Sequence, residues 1–206
     1  MSRSSTRTSR RSQAAERARQ GEVEFRLAGP ADADAVARLH ADSWRRHYRG
    51  AYADAFLDGD VLADRLAVWS ARLRVPDPGR CTIVALAPEL VGFAHTLFDD
   101  DAVWGALLDN MHVVAARKRN GIGSRLLGLS AGAVARHRAD GGLYLWVLEQ
   151  NTDAQAFYVA SGGVCSGREA VTPPGAVPGR LVGAPAKLRF AWRHARVLAG
   201  RRPHSA

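Results

Sequence analysis

The reading of the chain turns on residues 111–127, Met111-His112-Val113-Val114-Ala115-Ala116-Arg117-Lys118-Arg119-Asn120-Gly121-Ile122-Gly123-Ser124-Arg125-Leu126-Leu127. A β-branched run ends here and a basic turn punctuated by glycine follows. An amphipathic helix opens at once, with Ile122, Leu126, Leu127 and Leu129 at core spacing. Such a turn aims several free backbone N–H groups at one point. The helix dipole and the nearby guanidinium groups make that point positive, which suits a phosphate or pyrophosphate. The glycine pattern excludes two common phosphate loops. A P-loop needs Lys and then Ser or Thr after its last glycine, whereas Gly123 is followed by Ser124 and Arg125. A dinucleotide fingerprint needs a third glycine where Leu126 stands. Taken alone, the stretch serves equally as a tight strand-to-helix turn with charges on its surface.

A second stretch lies downstream, Leu143-Tyr144-Leu145-Trp146-Val147-Leu148-Glu149-Gln150-Asn151-Thr152-Asp153-Ala154-Gln155-Ala156-Phe157-Tyr158, followed by Ser161-Gly162-Gly163. It reads as a strand, an Asn at its end, and a short helix carrying Phe-Tyr before a glycine stop. The first stretch resembles the acetyl-CoA-binding motif of the GNAT acetyltransferases, with Lys118, Gly121 and Gly123 at its marked positions, although Arg or Gln is usual where Lys118 stands. The second resembles the family's strand-Asn-helix segment, matched by Asn151, Ala154, Phe157 and Tyr158. Gly163 replaces the usual Phe, so one core aromatic is missing there. Residues 42–50, 90–94 and 187–190 resemble further family segments, so the likeness covers roughly residues 23–193.

The resemblance implies an α/β fold: a GNAT-like mixed, twisted sheet of about six or seven strands flanked by helices, with the central strands splayed apart. It implies acetyl-CoA as the acetyl donor. The diphosphate would lie on the amides of Arg119, Asn120, Gly121, Ile122, Gly123 and Ser124, beside Lys118. The pantetheine arm would lie along Met111, His112 and Val113, with the amide near Val113 polarising the acetyl carbonyl. An oxyanion donor of that kind contributes about 3 kcal/mol. Tyr158 would be the general acid at the departing thiolate, its phenol having an ordinary pKa of about 10. Asn151 would hold the cofactor arm, or cap the following helix. Asp109 and Glu149 rank as general-base candidates above His112, and a water chain could replace any of them. Strand alternation groups Asp109 with Met111 and Val113, and Asn110 with His112. Trp44, Tyr48, Tyr52 and Trp146 are candidate walls of an acceptor pocket, against core packing as the plainer role for Trp44 and Trp146. An acidic run, Asp99-Asp100-Asp101, reads as a solvated loop.

The implied activity is transfer of an acetyl group to an amine-bearing acceptor, a protein lysine or a small primary amine including an amine-bearing drug. Transfer is direct, because no cysteine is placed to form an acetyl-enzyme. A silent acetyl-CoA-binding sensor is the alternative, which Tyr158 weighs against. Monomer and homodimer both stay open.

Composition bounds the rest. The chain has 206 residues, 47% hydrophobic and 24% charged, as expected of one soluble domain with a core. No apolar run approaches the ~18 residues of a membrane span, so no membrane partner is expected. Cys81 and Cys165 show no metal-ligand spacing and read as free thiols in a reducing cytoplasm. The net charge of +9 resides in the ends: residues 1–21 carry +5 and residues 193–206 carry +4. The interval between is balanced, so no specific nucleic-acid binding is expected of it. The expected organisation is a basic arm at 1–21, one domain at 22–193 and a basic tail at 194–206. Strands are expected at 24–27, 81–87, 90–98, 107–114, 142–148 and 186–192. Helices are expected at 30–47, 53–57, 61–73, 121–139 and 152–160, and a Gly/Pro-rich connection at 166–185.

Overall fold

Alternating burial along two neighbouring strands sets up the layers of the molecule. A computed structural model describes residues 22–199. In it β2 (Arg80–Leu86) and β3 (Leu90–Asp101) pair antiparallel, Val84 opposite Phe93 and Ile83 opposite Ala94. Val84 and Phe93 turn toward Val36, Ala37 and Leu39 of α1 (Ala33–His47) and toward Trp69 and Leu73 of α2 (Val61–Leu73). Ile83, Ala85 and Ala94 turn the other way, toward Ile122, Leu126, Leu127 and Ala131 of α3 (Ile122–His137). Side chains alternate across a strand, so one sheet face carries α1 and α2 and the other carries α3. Trp69, Phe93 and Leu126 are wholly buried, and removing such side chains from water contributes roughly 1.5–3 kcal/mol each.

Five further strands complete the sheet: β1 (Glu24–Leu27), β4 (Gly105–Val113), β5 (Leu143–Leu148), β6 (Val164–Ala170) and β7 (Ala186–Trp192). Among the described residues the order is β1-β2-β3-β4-β5-β7-β6. Every pair is antiparallel except β4 with β5, which run parallel and touch at only two positions, Ala106 with Leu143 and Leu107 with Tyr144. Beyond them the two strands part, and this is the expected splay. At its closed end two backbones meet without side chains between them. A Cβ on Gly105 would lie 2.5 Å from the Gly142 carbonyl oxygen, and one on Gly142 would lie 2.6 Å from the Trp104 carbonyl oxygen. Past the splay, α4 (Thr152–Ala160) follows β5. No helix among the described residues is long and apolar enough to cross a membrane.

The structure corrects four expectations. Part of the expected connection at 166–185 is strand β6, an exposed edge strand without apolar alternation and with a bulge between Cys165 and Gly167. Asp99-Asp100-Asp101 ends β3 rather than forming a free loop. Asp99 meets His137, Asp100 accepts from the Tyr144 hydroxyl (2.5 Å), and Asp101 accepts from the Val103 and Trp104 amides. A bulge leaves Asp109 unpaired between Asn110, opposite His95, and Leu108, opposite Thr96. The simple alternation therefore fails, and Asp109 reaches Arg72 of α2 on the same side as His112. Finally, residues 194–199 belong to the packed body rather than a tail. Ala195 and Leu198 join the core behind α3, and α5 (Arg196–Ala199) lies where Gly128 and Gly132 leave room. The expected arm at 1–21 and the rest of the expected tail, 200–206, lie outside the described residues.

Candidate active site

The basic loop between β4 and α3 takes the sharply turned shape that its glycines suggest. The chain leaves β4 through a short turn at Ala115–Arg117 and then takes positive φ at Arg119 (65°) and again at Gly121 (75°). Two left-handed residues so close fold the backbone into a concave run of N–H groups. No side chain caps α3, and its first recorded turn bond runs from Arg125 N–H to the Gly121 carbonyl. Among the described residues no acceptor takes the amides of Arg119, Asn120, Gly121, Ile122, Gly123 or Ser124. They stand at the positive end of a 16-residue helix. Lys118 leans away, its ammonium 3.1 Å from His47 Nε2 at the end of α1. Burial and then Lys118 itself lower the His47 pKa, so the ring accepts this bond.

Upstream, the edge of β4 is open. Val114 N–H donates to Val91 in β3 (2.9 Å), so by alternation the amides of Val113 and Met111 face the gap toward β5. Met111 and Val113 pack their side chains on the α3 side, while His112 turns to α1. Ser43 Oγ and His112 Nδ1 share a 2.7 Å hydrogen bond. Across the gap, Asn151 caps α4, its Oδ1 accepting from Ala154 N–H at 3.3 Å. Phe157 lies against Gly123, where a Cβ would be 3.7 Å from the ring, so the two motifs touch. Tyr158 is 8% exposed, ringed by Phe157, Phe190 and Trp192. The missing aromatic at Gly163 is supplied from β7. A Cβ there would lie 2.8 Å from the Trp192 ring, whose Nε1–H donates to the Ser161 carbonyl.

The family model for the GNAT acetyltransferases matches residues 34–162. The chain belongs to that family. Solved structures agree in fold. A GCN5-related N-acetyltransferase from Rhodopseudomonas palustris is 21% identical, with a TM-score of 0.62 over 82% of this chain and 93% of that one. The PaiA N-acetyltransferase from Thermoplasma acidophilum, in complex with coenzyme A, is 17% identical, with a TM-score of 0.58 over 82% and 98%. YncA of Salmonella typhimurium, described as a putative acetyltransferase with its cofactor acetyl-CoA, is 18% identical, with a TM-score of 0.57 over 84% and 94%. A search of curated proteins finds no match.

In this GNAT chain the acid-base candidates sit in different company. Burial, and then Tyr48, push the Tyr158 phenol well above its ordinary pKa, so it keeps its proton. Tyr48 is itself pushed up to about 12, by burial and then by the Asp109 carboxylate. Tyr158, Tyr48 and Asp109 therefore share one electrostatic neighbourhood. Asp109 is paired with Arg72 (2.7 Å) and accepts from Asn110 Nδ2. Glu149 is turned to β6, where Arg168 grips both its oxygens at 2.8 Å and lowers its pKa. Of the four wall candidates, three converge: Trp44 stacks on Tyr48 (5.3 Å) and meets Tyr52 edge-on (5.1 Å). Trp146 stands apart beneath Lys187 (4.3 Å) and Arg189 (5.1 Å). A cleft of about 300 Å³ opens beside the end of β5, lined by Arg46, His47, Arg49, Gln150, Asn151, Thr152 and Asp153.

Behind Trp44 lies a row of histidines. Trp69 Nε1–H donates to His40 Nδ1 (2.9 Å), His40 stacks near His112 (4.7 Å), and Thr82 holds His95 at 2.7 Å. Burial lowers all three rings: His40 far below the usual histidine range, His95 to about 4 and His112 to about 3. The rings enter the fold neutral, so the unfolded chain binds more protons below about pH 6.5. Stability contributed by the neutral rings is full above about pH 6.5 and is lost as pH falls from there toward 3. Each ring adds a slope of up to about 1.4 kcal/mol per pH unit. Urea midpoints at pH 7, 6 and 5 should fall in that order, before the ordinary carboxylate range is reached. A flat profile would mean that the rings take up protons in place.

Sequence reasoning passed over Arg65 and Ser43. Arg65 stands one helical turn from both Val61 and Trp69, a charge on the buried stripe of α2, and that conflict was the available signal. Ser43 sits on the buried stripe of α1 with nothing in the sequence to tie it to His112.

Proposed function

We propose that the chain is an acetyl-CoA-dependent N-acetyltransferase that moves an acetyl group directly to a primary amine. The observation that carries this reading is the concave row of unclaimed amides from Arg119 to Ser124, at the head of α3 and beside the open end of the β4–β5 splay. Those amides fit a diphosphate, and the open strand edges with their inward-facing N–H groups fit an extended amide-bearing arm. The residues that would hold acetyl-CoA are Met111 and Val113 by backbone, the 119–124 amides, and the walls formed by Phe157 and Tyr158. Bound there, acetyl-CoA supplies an acetyl group activated as a thioester.

The chain's own groups do the rest. The Val113 amide, facing the gap, is the donor placed for a developing oxyanion. Tyr158 holds a proton at its Oη that can pass to a departing thiolate. Asp109, which acts electrostatically on Tyr48 and meets Arg72 through one oxygen, takes the role of base, directly or through water, ahead of Glu149, both of whose oxygens are held by Arg168. Trp44, Tyr48 and Tyr52 form the acceptor wall. Both cysteines are free thiols, Cys165 exposed, which suits a reducing cytoplasm.

Calorimetry with acetyl-CoA, followed by thiol release on adding a panel of primary amines, tests the proposal. Binding without thiol release from any amine would identify an acetyl-CoA-binding module instead. No binding would remove the cofactor and the enzymatic reading together.

A further inference from the structure

Beneath Trp44 lies a guanidinium that shares its one carboxylate with a second arginine. Arg65 is 8% exposed, and its guanidinium lies 4.3 Å from the centre of the Trp44 ring. Its Nε and Nη2 both donate to Asp64 Oδ2. The other oxygen of Asp64 accepts from Arg180 Nη1 at 2.6 Å, and that nitrogen also donates to the Pro174 carbonyl. One carboxylate is therefore shared by two guanidinium groups. Among the described residues Arg65 Nη1 has no partner.

The place of this surplus matters. Arg65 acts electrostatically on Tyr48, Tyr52, His40 and His112. Tyr48 in turn acts on Tyr158. The neighbouring pair, Arg72 with Asp109, is balanced and cannot offset it. Arg180 arrives from the β6–β7 loop, which is tied over the same aromatic cluster: Ala53 N–H donates to the Arg180 carbonyl, and Val182 N–H to the Ala51 carbonyl. A buried guanidinium with a free N–H, set behind an aromatic wall, is an anchor for a planar anion. It repels an acceptor carrying additional amines.

We infer that the acceptor of this enzyme is an amine that also carries a carboxylate, an α-amino acid or a close relative, anchored by Arg65. The inference rests on the acetyltransferase reading and names the substrate class of the same site. Trp44 and Tyr48 hold the acceptor's body, and the carboxylate sits toward Arg65 while the amine points to the β4–β5 gap.

The test compares matched pairs, each an L-amino acid and its decarboxylated amine, for example phenylalanine with 2-phenylethylamine and lysine with cadaverine. Acetyl transfer is read by thiol release, and binding by calorimetry. The amino acid should be preferred in kcat/KM by about 10-fold or more, the size of one hydrogen bond to a charged group. Arg65→Gln should erase that preference by raising KM for the amino acid while leaving the amine unchanged. Arg65→Lys should recover part of it. A merely structural Arg65 would lower both members of each pair alike, and that outcome overturns the inference. Equal or better use of the decarboxylated amines by the wild type also overturns it. Amino-acid binding that disappears in Arg65→Gln, without any transfer, supports the carboxylate site and counts against turnover alone.

Discussion

Gly121→Glu loses acetyl-CoA binding by about 100-fold or more in calorimetry, equivalent to roughly 2.7 kcal/mol. Two effects combine. Gly121 holds a φ of 75°, which costs a residue with a Cβ about 1–2 kcal/mol. A carboxylate would also stand at the positive helix end, against an anion, where each such electrostatic effect is worth about 1 kcal/mol. Gly121→Asn separates them, because Asn tolerates left-handed backbone and brings no charge. It should retain most of the affinity. If Gly121→Asn fails as badly, the bulk of a side chain at this position, rather than its charge or the left-handed backbone, is responsible. If Gly121→Glu binds normally, the loop does not hold the diphosphate.

Tyr158→Phe lowers kcat by about 10²–10³ while leaving acetyl-CoA affinity within about twofold, the span expected for one general acid. The substitution removes a hydroxyl and keeps the ring that packs on Phe190 and Trp192, so stability should change little. Because burial and Tyr48 raise its pKa, the phenol stays protonated throughout the working range. The wild-type rate should therefore show no decline from Tyr158 ionisation below about pH 10. Equal turnover in the two proteins would remove Tyr158 from the chemistry, and a loss confined to KM would make it a binding residue.

The layered fold was legible because its signals are local. Ile122, Leu126 and Leu127 declare a helix at their own spacing, and the chain from Cys81 to Phe98 declares a hairpin. The shape of the loop between β4 and α3 was legible for the same reason: glycines, bases and a helix start sit within a few residues. What escaped depends on contacts remote in sequence. Asp109 changed sides because of a bulge against β3, which adjacent residues do not announce. Strand β6 has no apolar alternation, since it is an exposed edge held by hydrogen bonds to β7. The partners of the two carboxylate candidates are equally remote: Glu149 meets Arg168, nineteen positions away, and Asp109 meets Arg72 of α2. Trp192 fills the place of the absent family aromatic from another strand altogether.

The glycine pair at Gly105 and Gly142 has a consequence for the β4–β5 gap well away from it. Backbone touches backbone there, and Ala106 N–H donates to the Gly142 carbonyl at 3.0 Å. The two strands diverge from this contact as rigid arms from a pivot. A methyl group wedged at the pivot would push the arms apart, and the aperture at their far tips would widen by more than the wedge itself. Two missing side chains at one end of the strand pair thus set the width of the opening at the other.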